Sequence, residues 1–280
     1  HFGNLSVIPS VELQEMYDDN IFKGNGKDYP SAATTLQERK ESDWITHVKP
    51  GLMLTYTLPE RGSVNLGYRG DFAIYKSNDG NDWKNNSGSL DVNYMAPGGL
   101  ILGINELYTR AEDPYGSADQ YSIGRITKRS TNDWKSKLGF APTSNFRSFV
   151  YYNRYMQDYD NDIFDFTQDY TDREYGIGAE SRFMPKTWGF LRYHYGLREY
   201  NTNGPGQTGA FNSDSTWHRV NTGLTWDSDA KLSGELNFGY QWRTYDNEFT
   251  SAARNVQRED KKTWIAATAV NFLASETTTL

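Results

Sequence analysis

Residues 231–249 read KLSGELNFGYQWRTYDNEF. Leu232, Gly234, Leu236, Phe238, Tyr240 and Trp242 alternate with Ser233, Glu235, Asn237, Gly239, Gln241 and Arg243. Successive side chains of a strand point to opposite sides, so this is a β-strand with one apolar and one charged face. It runs to about twice the length of an ordinary soluble strand, which has about 5 to 6 residues. Such a strand suits a wall between hydrocarbon and water, where the outer face is apolar and the inner face is wet.

Composition leaves that possibility open and closes others. The chain has 280 residues, a formal net charge of −7, no cysteine and 15% aromatic residues, among them 20 Tyr and 8 Trp. Its mean hydropathy of −0.79 comes with no run of 18 apolar residues, which excludes a transmembrane helix. A transmembrane barrel is not excluded, because its apolar positions alternate and average away in any window. With 36 Asp+Glu against 29 Lys+Arg there is no basic excess, which argues against a nucleic-acid partner. The absence of cysteine is compatible with export without deciding it. The first residues, His1, Phe2, Gly3 and Asn4, show neither a charged nor an apolar leader region. For an exported chain, the expectation is that a leader has been removed.

The two-faced pattern recurs. Val64, Leu66, Tyr68, Gly70, Phe72 and Ile74 alternate with Asn65, Gly67, Arg69, Asp71 and Ala73, and Leu224 and Val270 share the apolar phase of their own segments. Twelve segments are expected, near 6–18, 43–58, 62–76, 83–96, 99–111, 130–142, 145–157, 171–184, 187–200, 215–227, 231–245 and 262–274. Their connectors alternate in length. LPERGS, APGG, APTSN, MPKT, DSDAK and ASETT are tight turns; stretches such as FKGNGKDYPSAATTLQERKES and NTNGPGQTGAFNSDS are long and polar. Short turns on one rim and long loops on the other are how outer-membrane barrels are built. The fold expected is an all-β, transmembrane, antiparallel up-and-down barrel, with residues 1–280 as one domain. Because SETTTL follows a tight turn, Thr279 and Leu280 are read as the start of a thirteenth strand. The chain is then a C-terminally incomplete piece of a longer barrel.

Tryptophans Trp44, Trp83, Trp134, Trp217 and Trp264 open segments that follow long connectors, and Tyr17, Tyr75, Tyr108, Tyr155, Tyr200 and Tyr245 close segments that precede one. Trp and Tyr favour the membrane interface, so these rings are expected to form an outer aromatic girdle. On the opposite phase, Glu12, Lys49, Arg69, Asp71, Asp91, Glu180, Arg182, Arg192, His194, Arg198, Arg219, Glu235 and Arg243 are expected to line the lumen. Both signs of charge are present, which implies a wetted, hydrogen-bonded interior.

The N-terminal quarter, VIPSVELQEMYDDNIF followed by DWITHVKPGLMLTY, resembles the putative β-barrel porin 2 type of outer-membrane barrel. The resemblance rests on Pro9, Glu15, Tyr17, Asp18, Asp19, Asn20 and Ile21, then Val48, Pro50, Gly51, Leu52 and Leu54. It implies about 16 to 18 strands in the complete barrel, within the range for such barrels, passage of polysaccharide across the outer membrane and a periplasmic or inner-membrane export partner, and it brings no catalytic residues with it.

Other chemistry finds less support. In QDYDNDIFDFTQDYTD, Asp158, Asp160 and Asp162 have the opening spacing of a calcium loop, but Ile163 replaces the turn glycine and Asp169 stands where a bidentate Glu belongs. The cluster reads as a solvated outer loop, with loose divalent-ion binding near lipopolysaccharide as the alternative. Neither G-x-S-x-G nor H-E-x-x-H occurs, and His47 and His194 fall on the lumen phase as hydrogen-bonding groups. No catalytic residue, cofactor or metal ligand is assigned. Glycans are bound by aromatic platforms and polar groups matched to hydroxyls, which Tyr151 or Tyr152, Arg154, Arg192, His194, Arg198 and Arg243 could supply. Three functions stay open: a conduit for polysaccharide export, a general diffusion porin, and a structural barrel sheathing a partner subunit. Outer-membrane lipid and lipopolysaccharide are the expected surroundings in each.

Overall fold

The computed structural model describes residues 3–23, 40–114, 126–160, 168–200, 214–226, 232–246, 259–275 and 278–279. They form one antiparallel sheet in chain order: β1 (Leu5–Asp18), β2 (Asp43–Leu58), β3 (Gly62–Tyr75), β4 (Trp83–Met95), β5 (Leu100–Asp113), β6 (Thr127–Thr143), β7 (Phe146–Tyr159), β8 (Tyr170–Met184), β9 (Thr187–Tyr200), β10 (Ser215–Trp226), β11 (Leu232–Tyr245), β12 (Lys261–Ser275) and the short β13 (Thr278–Thr279). Each strand pairs with its sequence neighbours, which is the up-and-down topology of a β-barrel. Among the described residues β1 pairs with β2, and β12 with β11 and β13, so the sheet is open between β1 and β13. Among the described residues no helix is long and apolar enough to cross a membrane.

The short turns fix the register. In β2–β3 the backbone reverses through Glu60 at φ 60° and Gly62 at φ 140°. A Cβ on Gly62 would lie 1.8 Å from the Asn93 carbonyl oxygen, so only glycine fits against β4 here. Gly98 and Gly99 supply positive φ between β4 and β5, and Lys186 does so between β8 and β9. The turns are tied sideways too: Met95 N donates to Arg61 O at 2.7 Å and Ala141 N to Gly99 O at 2.8 Å.

The long connectors are closed by a recurring clasp. The backbone N–H of the tyrosine ending one strand donates to an aspartate just before the next strand or at its threshold. Tyr75 does so to Asp82 at 2.7 Å, Tyr159 to Asp169 at 2.8 Å, Tyr200 to Asp214 at 2.8 Å and Tyr245 to Asp260 at 3.2 Å. Asp43 serves β2 and β3 differently, accepting from Ser77 N and Asn78 N. Each carboxylate gives a strand-end N–H the partner it would otherwise lack.

Several strands outrun the apolar alternation at this rim. β6 begins at Thr127 rather than near residue 130, because its pairing with β5 continues to Asp113↔Thr127 and Arg129 Nε reaches Asp113 at 2.7 Å. Polar pairs extend the sheet past the apolar pattern that marked the segment in the sequence.

Register sorts the side chains into two faces. Leu54, Leu66 and Leu90 stand in one row, Val64, Val92 and Ile104 in another, and Leu224, Leu236 and Thr268 in a third, all on the apolar face. Leu66, Leu236 and Phe238 are about half exposed there, which marks a surface made for an apolar surrounding. Phe72 and Val270 share this face, and Arg69, Asp71, Glu180, Arg182, Glu235 and Arg243 stand on the other. The end of the YDDNIF stretch packs on the polar face: Ile21 and Phe22 are buried with Ile45, Ala73 and Tyr75, and Trp83 packs against them.

An arginine on the lipid side of a barrel costs about 2 to 4 kcal/mol at the bilayer midplane. Leu236→Arg is therefore expected to impair assembly in lipid vesicles, and Glu235→Gln to leave it intact. Equal assembly yields would show the face assignment to be wrong.

Candidate functional site

The densest chemistry lies on the polar face of β7 to β11. Near the short-turn rim, Glu180 is 5% exposed and accepts from Arg147 Nε at 2.6 Å and from Arg192 Nη2 at 3.0 Å. Arg192 also donates to both oxygens of Glu235 through Nη1, at 3.1 and 3.0 Å. Asn237 donates to Glu235 at 3.0 Å, and Asn221 to Asn237 at 2.7 Å. One hydrogen-bonded chain thus crosses five strands. Its floor is aromatic: the Arg147 guanidinium sits 3.9 Å from the Trp188 ring centre, Arg182 4.5 Å from the same ring, and Arg192 3.9 Å from that of Phe190. Trp188 and Phe190 are each 4% exposed, so the arginines cover them and are held flat.

The pattern climbs toward the long connectors. Tyr151 stacks on His194 at 5.9 Å, and His194 Nδ1 lies 3.1 Å from Glu174. Glu174 also accepts from Arg219 at 2.7 Å and Asn153 at 3.0 Å. Above it, Arg198 forms a forked pair with Asp172 and lies 4.2 Å from the Tyr170 ring. On β10 and β11, Arg243 covers Trp217 at 4.7 Å. Gly196 makes that possible, since a Cβ there would meet the Trp217 indole at 2.1 Å. A forked arginine held over a ring offers fixed N–H donors at little further loss of freedom.

The remaining expected residues form smaller groups on β1 to β4. Lys49 donates to Glu12 at 2.9 Å and to Gln14 at 2.6 Å, His47 meets Asp71 at 2.8 Å, and Asp91 accepts from Asn65 and Asn93. Arg69 is exposed on the same face. Of the aspartate cluster, Asp162 and Asp165 lie outside the described residues. Asp158 is on the apolar face, Asp160 pairs with Arg110, Asp169 holds the Tyr159 N–H, and Asp172 holds Arg198.

Three expectations are corrected. Trp44, Trp134 and Trp264 share the apolar face, but Trp83 and Trp217 stand on the polar one. Trp83 packs edge-on to His47 over the Ile45 cluster, and Trp217 carries Arg243, so both indoles serve the inside of the sheet. Tyr75, Tyr155, Tyr200 and Tyr245 likewise fall on the polar face, leaving Tyr17 and Tyr108 on the apolar one. Tyr152 and Arg154 also stand on the apolar face, because Tyr152↔Tyr175 and Arg154↔Arg173 continue the row phase of Val150↔Ile177. They do not belong to a glycan surface on the polar side. Arg147, Phe149, Trp188 and Phe190 went unassigned. Reading i, i+2 back from Tyr151 and His194 reaches them.

A family model described as putative beta-barrel porin 2 matches residues 1–279. No curated protein matches the chain.

Glu180→Ala would leave Arg147 and Arg192 without their shared acceptor in a buried setting. The expected cost is about 3 kcal/mol, at the low end for a broken buried pair. Glu12→Ala, at an exposed pair, is expected to cost far less. Urea unfolding of the refolded protein in lipid vesicles measures both, and equal midpoints would show the Glu180 chain to carry no stability.

Proposed function

Because the chain belongs to the putative β-barrel porin 2 family, we propose that it is an outer-membrane barrel whose polar face lines a conduit for exported polysaccharide. The apolar face meets lipid, and the short turns face the periplasm. The barrel acts as a passage rather than as a catalyst, handing glycan on from a periplasmic or inner-membrane export partner.

The observation that carries this reading is the file of arginines over aromatic rings on β7 to β11, from Arg147 and Arg192 at one rim through His194 and Arg219 to Arg198 and Arg243. A sugar polymer presents hydroxyls at close intervals and has little apolar area for a deep pocket. Rows of fixed N–H donors and carboxylate acceptors meet those hydroxyls in many weak contacts, which hold a chain without stopping it. The cross-strand carboxylates also keep the net charge of the file low, which suits an uncharged or weakly charged glycan.

Deletion of the gene is expected to lower secreted polysaccharide and raise the periplasmic pool, with export restored by the wild-type chain and only partly by Tyr151→Ala or Arg243→Met. Fractionation followed by sugar quantification reads both pools. Normal secretion in the deletion strain, together with open conductance of the purified protein in planar bilayers, would instead make it a general diffusion porin.

A further inference from the structure

The apolar face carries a cation that the fold does not balance. Arg154 on β7 stands directly opposite Arg173 on β8, in a row that continues through Trp134 on β6 to Glu106 on β5. Like charges facing each other across strands destabilise a sheet. Arg173 is relieved by Glu199, with Nη1 to Oε2 at 2.5 Å. Arg110 and Lys128, also on this face, have Asp160 and Glu112. Arg154 has no carboxylate within ion-pair distance among the described residues. Its side-chain contact is a weak one, Nη2 to Met156 Sδ at 3.5 Å, and its Nε is buried without a hydrogen-bond partner.

Arg154 also lines a pocket of about 350 Å³ with Trp134, Tyr152, Tyr108, Asn132 and Glu106. Its depth is informative. It lies eight positions beyond Phe146 at the short-turn rim. At about 3.3 Å per residue and a tilt of about 40°, that is about 20 Å up an apolar band about 25 Å tall. The pocket therefore opens where hydrocarbon gives way to headgroups. Glu106 is two strands from Arg154, about 10 Å away, and is engaged by Asn132 Nδ2 at 2.8 Å. It leaves the Arg154 side of the pocket basic and gives the far side a polar edge.

We propose that this pocket binds the headgroup of a phosphorylated glycolipid of the outer leaflet, its phosphate on Arg154, beside Arg173 on the next strand, and its sugar ring against Trp134 and Tyr152. The phosphate supplies the acceptor that the buried Nε of Arg154 lacks and offsets the like charges facing each other across β7 and β8. The indole and phenol offer the flat apolar surfaces on which a pyranose rests, and Asn132 and Glu106 face its hydroxyls. This site rests on the outer-membrane reading of the apolar face and is independent of what passes through the conduit.

The test is native mass spectrometry of the full chain in detergent micelles with three lipids: bisphosphorylated lipid A, the same lipid with both phosphates removed, and phosphatidylglycerol. Expected is retention of the bisphosphorylated lipid with affinity about tenfold above either of the others, an equal loss in Arg154→Gln, and partial retention in Arg154→Lys, which keeps charge but not the fork. Displacement of the lipid by inorganic phosphate alone would overturn the site as a lipid site. So would equal retention of the dephosphorylated lipid or phosphatidylglycerol, or no effect of Arg154→Gln. Membrane fractionation separates the two claims: a chain found outside the outer membrane would overturn the location, while the micelle measurement still reads the pocket.

Discussion

The backbone cannot leave its own polar groups unpaired. In hydrocarbon there is no water to take an unpaired N–H or C=O, so a spanning chain must answer every one of them within a sheet or a helix. Among the described residues no helix is long and apolar enough to do so, and the ladder pairs each strand with its sequence neighbours, leaving open edges only on the outer sides of β1, β12 and the short β13. Where the ladder runs out, side chains take over. The aspartates that receive the Tyr75, Tyr159, Tyr200 and Tyr245 amides stand at places where a strand ends and a connector begins. The tight turns do the same work at the other rim, with Glu60, Gly62, Gly98, Gly99 and Lys186 in the left-handed conformations that bring adjacent strands back into register.

Once the ladder is fixed, the pleat decides everything about the faces, because a one-residue slip would exchange them. The row from Leu54 through Leu66 to Leu90 holds only if the row from Thr55 through Asn65 to Asp91 is on the other side. Polar-face charges then find partners at neighbouring positions, as Glu180 does with Arg147 and Arg192. Stacking of those arginines on Trp188 and Phe190 lets the same face bury large rings without presenting them to water. The result is a polar face that is hydrogen-bonded and rich in oriented donors.

Strand positions were legible in the sequence because long alternation and connector length report the ladder directly: β2, β9 and the start of β3 coincide with the segments read from it. Strand ends at the long-connector rim were less so, since Thr127 to Arg129 on β6 extend the sheet with polar pairs that break no apolar pattern. Phase was legible where one face is all charged or amide, as in Glu235 and Asn237. It failed for single aromatics and arginines. Trp83 and Trp217 sit among inward positions, and Arg154 sits among outward ones, since hydropathy cannot tell a ring that faces lipid from a ring under an arginine. The pairing of Arg192 with both Glu180 and Glu235 was beyond reach for another reason: Arg192 and Glu235 are on strands separated by β10, and only register and side-chain reach bring them together.

The central claim is that the sheet spans a membrane with Glu235 and its row facing water. The chain contains no cysteine, so single cysteines can be placed without background. The most direct measurement labels Glu235→Cys, Leu236→Cys, Asn237→Cys, Phe238→Cys, Tyr240→Cys and Gln241→Cys in lipid vesicles with a water-soluble maleimide, then reads a lipid-quenched fluorophore at the same positions. Strict alternation is expected: 235, 237 and 241 react with the water-soluble reagent, and 236, 238 and 240 are quenched from lipid. Uniform reactivity along β11, or alternation in the opposite phase, would contradict it.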